Sequence, residues 1–282
     1  MKKRTVPIIA VILLVSVPIV AFFATQTSSY GSPPILAASA YTLIDMSSGK
    51  ALYEHDSDRS LKIGSLTKLM PIYICFQELE KGAISLDDVV TISLNASSRV
   101  GSLAHLPEGA QITVDSLLYC VFLPSGNDAI TALAEFLCGS EDAMVALMNE
   151  IAEELGMENT AYSDCTGIDS FHNRSTAHDL EILSMALITS YLEIRDYTSS
   201  DEKIITYIQD GNEHTLTLRN TNKLLNSVDG VYGLKTGTVR GGYSAIVLIE
   251  DAGKHLMAIV LDAPDDIARW SSVKALIASG LR

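Results

Sequence analysis

Positively charged residues are scarce in this sequence. Its 282 residues include 20 lysines and arginines against 34 aspartates and glutamates, a formal net charge of −14 at pH 7. A chain this acidic repels the phosphate backbone of nucleic acids, so we expect no nucleic-acid partner. The same charge gives no basis for electrostatic attachment to anionic lipids. Apolar residues make up 48% of the chain, which is enough to bury a substantial core.

Cysteine is also sparse, and its spacing contains no metal-binding pattern. There is no C-x-x-C pair and no histidine-rich spacing, so we expect neither a metal site nor a cofactor. Cys75, Cys120 and Cys138 lie in apolar stretches with helical spacing, where cysteine often behaves as a small buried hydrophobe. With Cys165 the number of cysteines is even, which also allows disulfides in an exported chain. We favour free buried thiols.

A long run without charge lies at the N-terminus. Lys2, Lys3 and Arg4 precede residues 5–24, which contain no charged residue. A basic flank followed by an apolar run predicts an export signal, so we interpret residues 1–24 as a cleaved signal peptide or a retained membrane anchor. A buried core helix is a third interpretation. Because the basic flank stays inside, both export interpretations predict an extracytoplasmic protein.

Residues 25–40 are rich in serine, proline and glycine and predict a linker. The folded part should therefore begin near Ala40. In residues 41–56, apolar and polar residues alternate on both sides of a turn at residues 47–50, which predicts a strand hairpin. Residues 65–81 and most of 85–195 have helical spacing, with Ser140 as a candidate N-cap.

From about residue 203, apolar and polar residues alternate again with a period of two. A hairpin is predicted around Asp210-Gly211, and three strands and a closing helix over residues 264–280 follow it. We predict a mixed α+β fold in which the N-terminal hairpin joins the later strands in one antiparallel sheet. Helices flank this sheet, and the mainly helical block forms an inserted subdomain. A cleft should lie at the seam between the two parts.

The pattern S-x-x-K occurs four times, so context must decide which pair is chemical. The pairs are Ser47/Lys50, Ser65/Lys68, Ser200/Lys203 and Ser271/Lys274. The first lies in the predicted hairpin turn and the last on the predicted closing helix. Ser65 and Lys68 open a helix inside an apolar run, and helical residues three apart lie on one face.

Ser65 and Lys68 can act as nucleophile and base only if Lys68 loses its proton. A serine hydroxyl is a poor nucleophile until a base takes its proton. A lysine with an ordinary pKa of about 10.4 is protonated at neutral pH, and lowering that pKa to 7 requires roughly 4.6 kcal/mol. Burial among Ile63 and Leu66, or a second cation such as Lys235, can supply this free energy.

Two further segments carry polar side chains suited to a reaction site. Ser125 and Asn127 lie on a turn between two predicted helices, where they can project into a cleft or simply cap a helix. Lys235 and Thr236 lie in a strand-like segment, and an ammonium beside a hydroxyl suits a carboxylate. Gly237 removes a side chain where the backbone of a ligand can lie alongside, unless it only marks a bulge.

Together and in this order, S-x-x-K, S-x-N and K-T-G are typical of the penicillin-recognising serine acyl-transferases. The chain resembles their D-alanyl-D-alanine carboxypeptidases, the low-molecular-mass penicillin-binding proteins of the S11 peptidase type. The likeness runs from about Tyr41 to the end and includes "LLYCVFLPSGNDA", "LGMENTAYSDCTGID", "HNRSTAHDL", "NTNKLL" and "GVYGLKTGTVRGGY". It implies a DD-peptidase/β-lactamase-like fold, with residues 41–282 as the catalytic domain.

The resemblance also implies a reaction. Ser65 would attack the carbonyl between the two terminal D-alanines of a peptidoglycan stem peptide, and Lys68 would be the base. Ser125 and Asn127 would assist proton movement and positioning. β-Lactam antibiotics would act as acylating inhibitors.

Substrate binding is implied for a second set of residues. Lys235 and Thr236, followed by Gly237, would bind the terminal carboxylate. The backbone N–H groups of Ser65 and Thr238 would form an oxyanion hole. Arg269 falls where some members have an arginine near the substrate, but it also fits a surface charge on the last helix.

Some features depart from the family pattern. Pro71 lies inside the predicted nucleophile helix and should kink it one turn past Lys68. Cys165 stands where relatives usually have a proline. Many relatives carry a C-terminal β-domain and an amphipathic membrane helix beyond the point where this sequence ends, so we expect membrane attachment, if any, through residues 5–24.

Two rival functions remain open at this point. A class A β-lactamase shares the first and third motifs, but no E-x-x-x-N stands between the second and third, and Gly126 replaces its aspartate. A non-catalytic protein that binds wall peptides would have the same fold with an inactive site. All the polar residues of the three motifs are present, which argues against that rival.

Overall fold

The structure is a computed structural model, and it describes residues 34–168 and 172–282. The proposed signal or anchor at residues 1–24, and residues 25–33 of the linker, lie outside these ranges. The first strand begins at Ala40, as the sequence predicts. No helix in the described ranges combines the length and the apolar character needed to cross a bilayer.

A five-stranded antiparallel sheet combines strands from the N-terminal and C-terminal parts of the described chain. Its order is β2-β1-β11-β10-β9, so the predicted union of the N-terminal hairpin with the later strands is confirmed. The strands are β1 (Ala40–Asp45), β2 (Lys50–His55), β9 (Val231–Val239), β10 (Gly242–Asp251) and β11 (Lys254–Ala263).

Both faces of this sheet are covered. Val247 and Val260 pack with Trp270 and Val273 of the closing helix α8 (Asp266–Leu281). Alternate residues such as Ile259 face the larger core formed with the other helices. Because successive side chains point to opposite faces, burial on both sides makes β10 and β11 nearly continuous apolar runs. Asp265 caps α8 by accepting a bond from the backbone N–H of Ala268 at 2.7 Å.

The helical block is inserted between β2 and β9, as predicted. Its helices are α1 (Leu69–Glu80), α2 (Leu94–Ser97), α3 (Val114–Phe122), α4 (Asn127–Cys138), α5 (Glu141–Glu154), α6 (Ala177–Ser190) and α7 (Ile194–Thr198). Ser140 caps α5, since its hydroxyl accepts a bond from the N–H of Ala143 at 3.1 Å.

The sequence prediction placed one hairpin in the wrong sheet. β7 (Glu202–Gln209) and β8 (Asn212–Arg219) pair as expected, but they join β4 (Val89–Thr91) and β5 (Gln111–Thr113) in a separate four-stranded sheet. Most side chains of β8 remain exposed, so this hairpin lacks the apolar surface that a doubly covered sheet requires. A third pairing joins β3 (Leu61–Lys62) to β6 (Arg174–Ser175).

The predicted helix over residues 65–81 consists of two kinds of helix. Residues Gly64–Lys68 form a 3₁₀ helix, and the α-helix α1 starts at Leu69. Pro71 therefore lies in the first turn of α1 rather than in its interior, where its missing N–H costs least. The change of helix type falls directly after Lys68.

Candidate active site

The side chains of Ser65 and Lys68 are in contact. Lys68 Nζ lies 2.9 Å from Ser65 Oγ, and it also donates to the carbonyl oxygen of Thr166 at 2.8 Å. Both residues belong to the 3₁₀ helix, in which side chains three apart eclipse one another. Ser65 is partly exposed, whereas Lys68 is fully buried. This geometry allows the amine to take the hydroxyl proton.

Burial changes the charge state available to Lys68. It lowers the pKa of the Lys68 ammonium from 10.5 to about 7, and the charges of Asp164 and Asp128 partly oppose this effect. Lys235 also interacts electrostatically with Lys68, and this interaction lowers the pKa of Lys235. Desolvation is therefore the main reason that the neutral form of Lys68 is accessible near pH 7.

Ser125 lies in the connection between α3 and α4, and it contacts Lys235 of the K-T-G motif. Its backbone is left-handed, with φ of 63°, and its Oγ accepts a bond from Lys235 Nζ at 2.7 Å. Asn127 is the first residue of α4, and its Nδ2 donates to the carbonyl of Val100 at 2.6 Å. The Oδ1 atom of Asn127 is buried and has no partner in the described part of the chain. It can accept a hydrogen bond from a bound ligand.

The third motif forms the middle of β9, an edge strand of the main sheet. Lys235 is buried, and burial, together with the charges of Lys68 and Arg269, holds its pKa well below the ordinary lysine value. Thr236 Oγ1 donates to Thr221 Oγ1 at 2.8 Å. The sequence thus correctly predicted that the three motifs lie together.

Gly237 also has a packing role. A Cβ atom there would lie 2.3 Å from the carbonyl oxygen of Ile63 and 3.0 Å from Leu66 Cγ. The missing side chain therefore allows β9 to pack against the segment that carries Ser65, and the predicted ligand contact stays a prediction. The same approach brings Thr238 beside Gly64, because a Cβ on Gly64 would lie 2.9 Å from the Thr238 nitrogen.

Arg269 is not a surface charge, so that alternative is wrong. Only 6% of the residue is exposed, and its guanidinium is paired with Asp266. The Nη1 atom also donates to the carbonyl oxygens of Ser244 at 3.3 Å and Gly237 at 3.5 Å. Arg269 therefore lies directly behind the K-T-G segment.

All four cysteines are free thiols, with Cys75, Cys120 and Cys165 buried.

Sequence reasoning did not identify Thr166 as a partner of Lys68, because its contribution is a backbone carbonyl that any residue type could supply. The local pattern Asp164-Cys165-Thr166-Gly167 offers a signal, since an aspartate two residues before a donor N–H is typical of a tight turn. The bond between Thr221 and Thr236 was also missed.

A cavity of about 240 Å³ lies beside two residues of the candidate site, Asn127 and Thr166, and Val100 and Ile168 also line it. All of its lining residues belong to the helical insertion, and it is large enough for a side chain of a ligand. A second cavity, of about 420 Å³, is mainly apolar and lies elsewhere, between α6, α7 and the strands β9 to β11. None of the predicted site residues lines that second cavity.

The chain is similar to known proteins along most of its length. A family model described as D-alanyl-D-alanine carboxypeptidase, peptidase S11, matches residues 27–265. The chain is 35% identical over 270 residues to the D-alanyl-D-alanine carboxypeptidase DacC of Escherichia coli, covering 93% of this chain. It spans 65% of the length of that relative. It is 32% identical to the DacF carboxypeptidase of Bacillus subtilis, covering 96% of this chain and 68% of DacF.

Solved structures show the same architecture. The Streptomyces K15 DD-transpeptidase superposes with a TM-score of 0.83 at 29% identity, over 89% of this chain and 99% of that one. The carboxypeptidase DacD of Francisella tularensis also gives a TM-score of 0.83, at 25% identity, over 92% of this chain and 73% of that one. The predicted fold class is therefore confirmed.

Proposed function

Because the chain belongs to the peptidase S11 family of D-alanyl-D-alanine carboxypeptidases, we propose that it is a serine-type carboxypeptidase that removes the terminal D-alanine from peptidoglycan stem peptides. One observation carries the proposal: a buried amine, with its pKa lowered to about 7, lies 2.9 Å from a partly exposed serine hydroxyl. Such an amine can be neutral at physiological pH and act as a general base.

In the proposed acylation, neutral Lys68 takes the proton of Ser65 while Oγ attacks the carbonyl carbon between the two D-alanines. The carbonyl oxygen becomes an oxyanion, which the backbone N–H groups of Ser65 and Thr238 stabilise. Collapse of this intermediate breaks the C–N bond. The proton held by Lys68 passes to the leaving nitrogen, with the Ser125 hydroxyl as a relay, and D-alanine departs.

Deacylation completes the cycle. A water molecule gives a proton to Lys68 and attacks the ester carbonyl. The C–O bond to Ser65 then breaks, the proton held by Lys68 passes to Ser65 Oγ, and the shortened peptide departs. Asn127 Oδ1, which is buried and has no hydrogen-bond partner among the described residues, is suited to accept a bond from the amide of the bound peptide. The guanidinium of Arg269, the amine of Lys235 and the hydroxyl of Thr236 lie at one end of the site, and a bound chain-end carboxylate would favour the protonated form of Lys235 and pair with it.

The proposal includes a location and a class of inhibitor. The substrate is part of the cell wall, so the catalytic domain would work outside the cytoplasmic membrane, exported by residues 1–24 and held there by residues 5–24 if they are retained. β-Lactams carry a strained amide and a carboxylate, and they would acylate Ser65 by the same chemistry.

The test uses a peptide ending in D-Ala-D-Ala, with the wild type compared to Ser65→Ala. We expect D-alanine release from the wild type alone, with a rate that rises as the pH passes through about 7, where Lys68 loses its proton. Labelled penicillin should form an adduct on Ser65 that mass spectrometry detects.

Three other results would point to other functions. Fast hydrolysis of nitrocefin, without a lasting adduct, would indicate a β-lactamase. Products that carry an added amine only when an amine acceptor is supplied would indicate a transpeptidase. No adduct and no D-alanine would indicate a non-catalytic wall-peptide binder.

A further inference from the structure

A turn at residues 164–167 holds the carbonyl group that contacts Lys68. The Oδ1 atom of Asp164 accepts bonds from the N–H of Thr166 at 2.7 Å, from the hydroxyl of Thr166 at 2.7 Å and from the N–H of Gly167 at 2.6 Å. The carbonyl oxygen of Thr166 then accepts from Lys68 Nζ at 2.8 Å. One carboxylate oxygen therefore fixes the peptide groups on both sides of Thr166.

Asp164 is itself held in place by Asn173, which is 1% exposed. The Nδ2 of Asn173 donates to Asp164 Oδ2 at 2.9 Å and to the backbone carbonyl of Asp164 at 3.2 Å. The Oδ1 of Asn173 accepts from the N–H of Asp164 at 3.3 Å. The carboxylate thus has a single orientation toward the turn, and both of its oxygens are occupied.

The same turn packs against the nucleophile segment, the 3₁₀ helix Gly64–Lys68 that carries Ser65. Gly167 has a left-handed backbone, with φ of 76°, and a Cβ there would lie 1.9 Å from the carbonyl oxygen of Gly64. The turn therefore contacts the residue before Ser65 as well as the Lys68 side chain. A shift of this turn would move the nucleophile and its base relative to one another.

We propose that Asp164 is a positioning residue for the attack by Ser65, fixing the Thr166 carbonyl that orients the Lys68 amine and placing a negative charge toward that amine. This inference rests on the proposed function. A neutral amine has two N–H donors and one lone pair. When one N–H is directed at the Thr166 carbonyl, rotation of the amine is restricted and the lone pair can be held toward the Ser65 hydroxyl.

Several charged or titratable groups face Lys68, and they differ in what else they do. Lys235 approaches from β9, with Arg269 behind it. Asp128 approaches from α4, where its carboxylate accepts from the N–H groups of Ala104 at 2.9 Å and Leu106 at 3.0 Å and so holds a different loop. Cys165 lies in the same turn as Asp164. Burial and Glu141 raise the pKa of its thiol well above the ordinary value, so it is uncharged near pH 7.

Asp164 is thus the anion that both faces Lys68 and holds its carbonyl partner. Its charge raises the pKa of Lys68, in opposition to burial. Replacing the carboxylate by an amide should keep an acceptor for the turn and remove the charge. Replacing it by a methyl group should remove both.

The experiment compares Asp164→Asn and Asp164→Ala with the wild type in the full chain. The first readout is the ¹³Cε signal of Lys68 against pH in lysine-labelled protein, assigned by its loss in Lys68→Arg. The second readout is the rate of Ser65 acylation by labelled penicillin. A turn with a purely structural role would leave the titration of Lys68 in folded Asp164→Asn unchanged.

In Asp164→Asn we expect the Lys68 titration to move to lower pH and acylation to become about threefold faster on the acid side, as removal of one screened charge predicts. In Asp164→Ala we expect acylation to fall by about 10- to 100-fold at every pH, because the amine loses its orientation. A wild-type Lys68 titration in folded Asp164→Asn, or wild-type acylation by Asp164→Ala, would overturn the proposal.

One further variant serves as a control. Glu158→Gln removes an equal charge from an exposed residue outside the turn and should leave both readouts unchanged. If Asp164→Asn fails to fold because two amide nitrogens meet, the acylation rate of folded Asp164→Ala decides, since a wild-type rate there overturns the proposal. Failure of the proposed function would appear separately, as wild-type protein that releases no D-alanine and forms no adduct.

Discussion

The side-chain nitrogen of Lys235 lies 2.7 Å from the hydroxyl oxygen of Ser125, although 110 positions separate the two residues in the chain. Lys235 belongs to an edge strand of the main sheet, and Ser125 belongs to the connection between α3 and α4. The bond therefore joins the sheet to the helical insertion at the seam that the sequence predicted. An anionic group of a ligand at this junction would favour the protonated form of Lys235.

Lys235→Ala should weaken binding of the substrate through its terminal carboxylate. With a peptide ending in a free carboxylate, we expect kcat/KM to fall by about 10- to 100-fold, as loss of one charge-assisted hydrogen bond predicts. With the matching C-terminal amide, the wild type and the variant should differ much less. Equal losses for both peptides would show that Lys235 does not recognise the carboxylate.

Lys68→Met should reveal the free energy needed to bury an ammonium group. Burial lowers the folded-state pKa of Lys68 from 10.5 to about 7. Between these pH values the unfolded chain holds a proton that the folded chain lacks, so the free energy of unfolding of the wild type rises with pH there. Below about pH 7 both states are protonated and the full penalty remains.

The variant should therefore gain most over the wild type below pH 7, and this gain should shrink by about 4 kcal/mol as the pH approaches 10.5. Urea unfolding of both proteins across this range measures the difference. A constant difference at every pH would mean that Lys68 titrates normally in the folded protein.

Gly237→Ala should separate β9 from the nucleophile segment. The added Cβ would lie 2.3 Å from the carbonyl oxygen of Ile63, which is backbone and cannot rotate away. We expect a loss of stability of about 1–3 kcal/mol and a large fall in penicillin acylation of Ser65. Thermal unfolding and adduct mass spectrometry measure the two effects.

Gly253→Ala is the control for the absence of a clash, because no atom lies within 4 Å of an added Cβ there; unlike Gly237, Gly253 has a positive φ of 77°. It should lose about 1 kcal/mol of stability from backbone strain and keep full acylation. Normal acylation in folded Gly237→Ala would contradict the packing role of this glycine.

The thiols provide a test of the buried structure. Cys138 is partly exposed, whereas the other three are buried, and burial raises the pKa of Cys75 to about 12. A thiol reagent should therefore react with one group in the folded protein and with four after unfolding without reductant. Cys138→Ser should abolish the fast reaction. Fewer than four thiols after unfolding would indicate a disulfide.

Local periodicity was sufficient to predict most helices and strands, since each pattern depends on residues close in sequence. Both hairpins, the Ser140 cap and the closing helix were predicted in this way. Periodicity also separated Ser65 and Lys68 from the other S-x-x-K pairs, such as Ser47 and Lys50 in a hairpin turn. Partner choice between strands depends on distant residues, which is why β7 and β8 were assigned to the wrong sheet.

Contacts made by backbone atoms could not be predicted from residue types. The carbonyl of Thr166 reaches Lys68 across 98 positions, and Gly237 meets the carbonyl of Ile63 across the seam. The polarity of these groups is identical in every residue. Only the path of the folded chain determines which carbonyl lies beside which side chain.

The left-handed backbone at Ser125 places two demands on one residue that no amino acid satisfies fully. Glycine would adopt a φ of 63° without steric cost, but it has no hydroxyl to meet Lys235. Serine supplies the hydroxyl and retains the strain. Glycine would relieve roughly 1–2 kcal/mol of strain but leave a buried amine without its hydroxyl partner, at a cost of about 1–3 kcal/mol. A laboratory evolution experiment that rewards heat tolerance should therefore retain a side-chain acceptor here even when turnover is not selected.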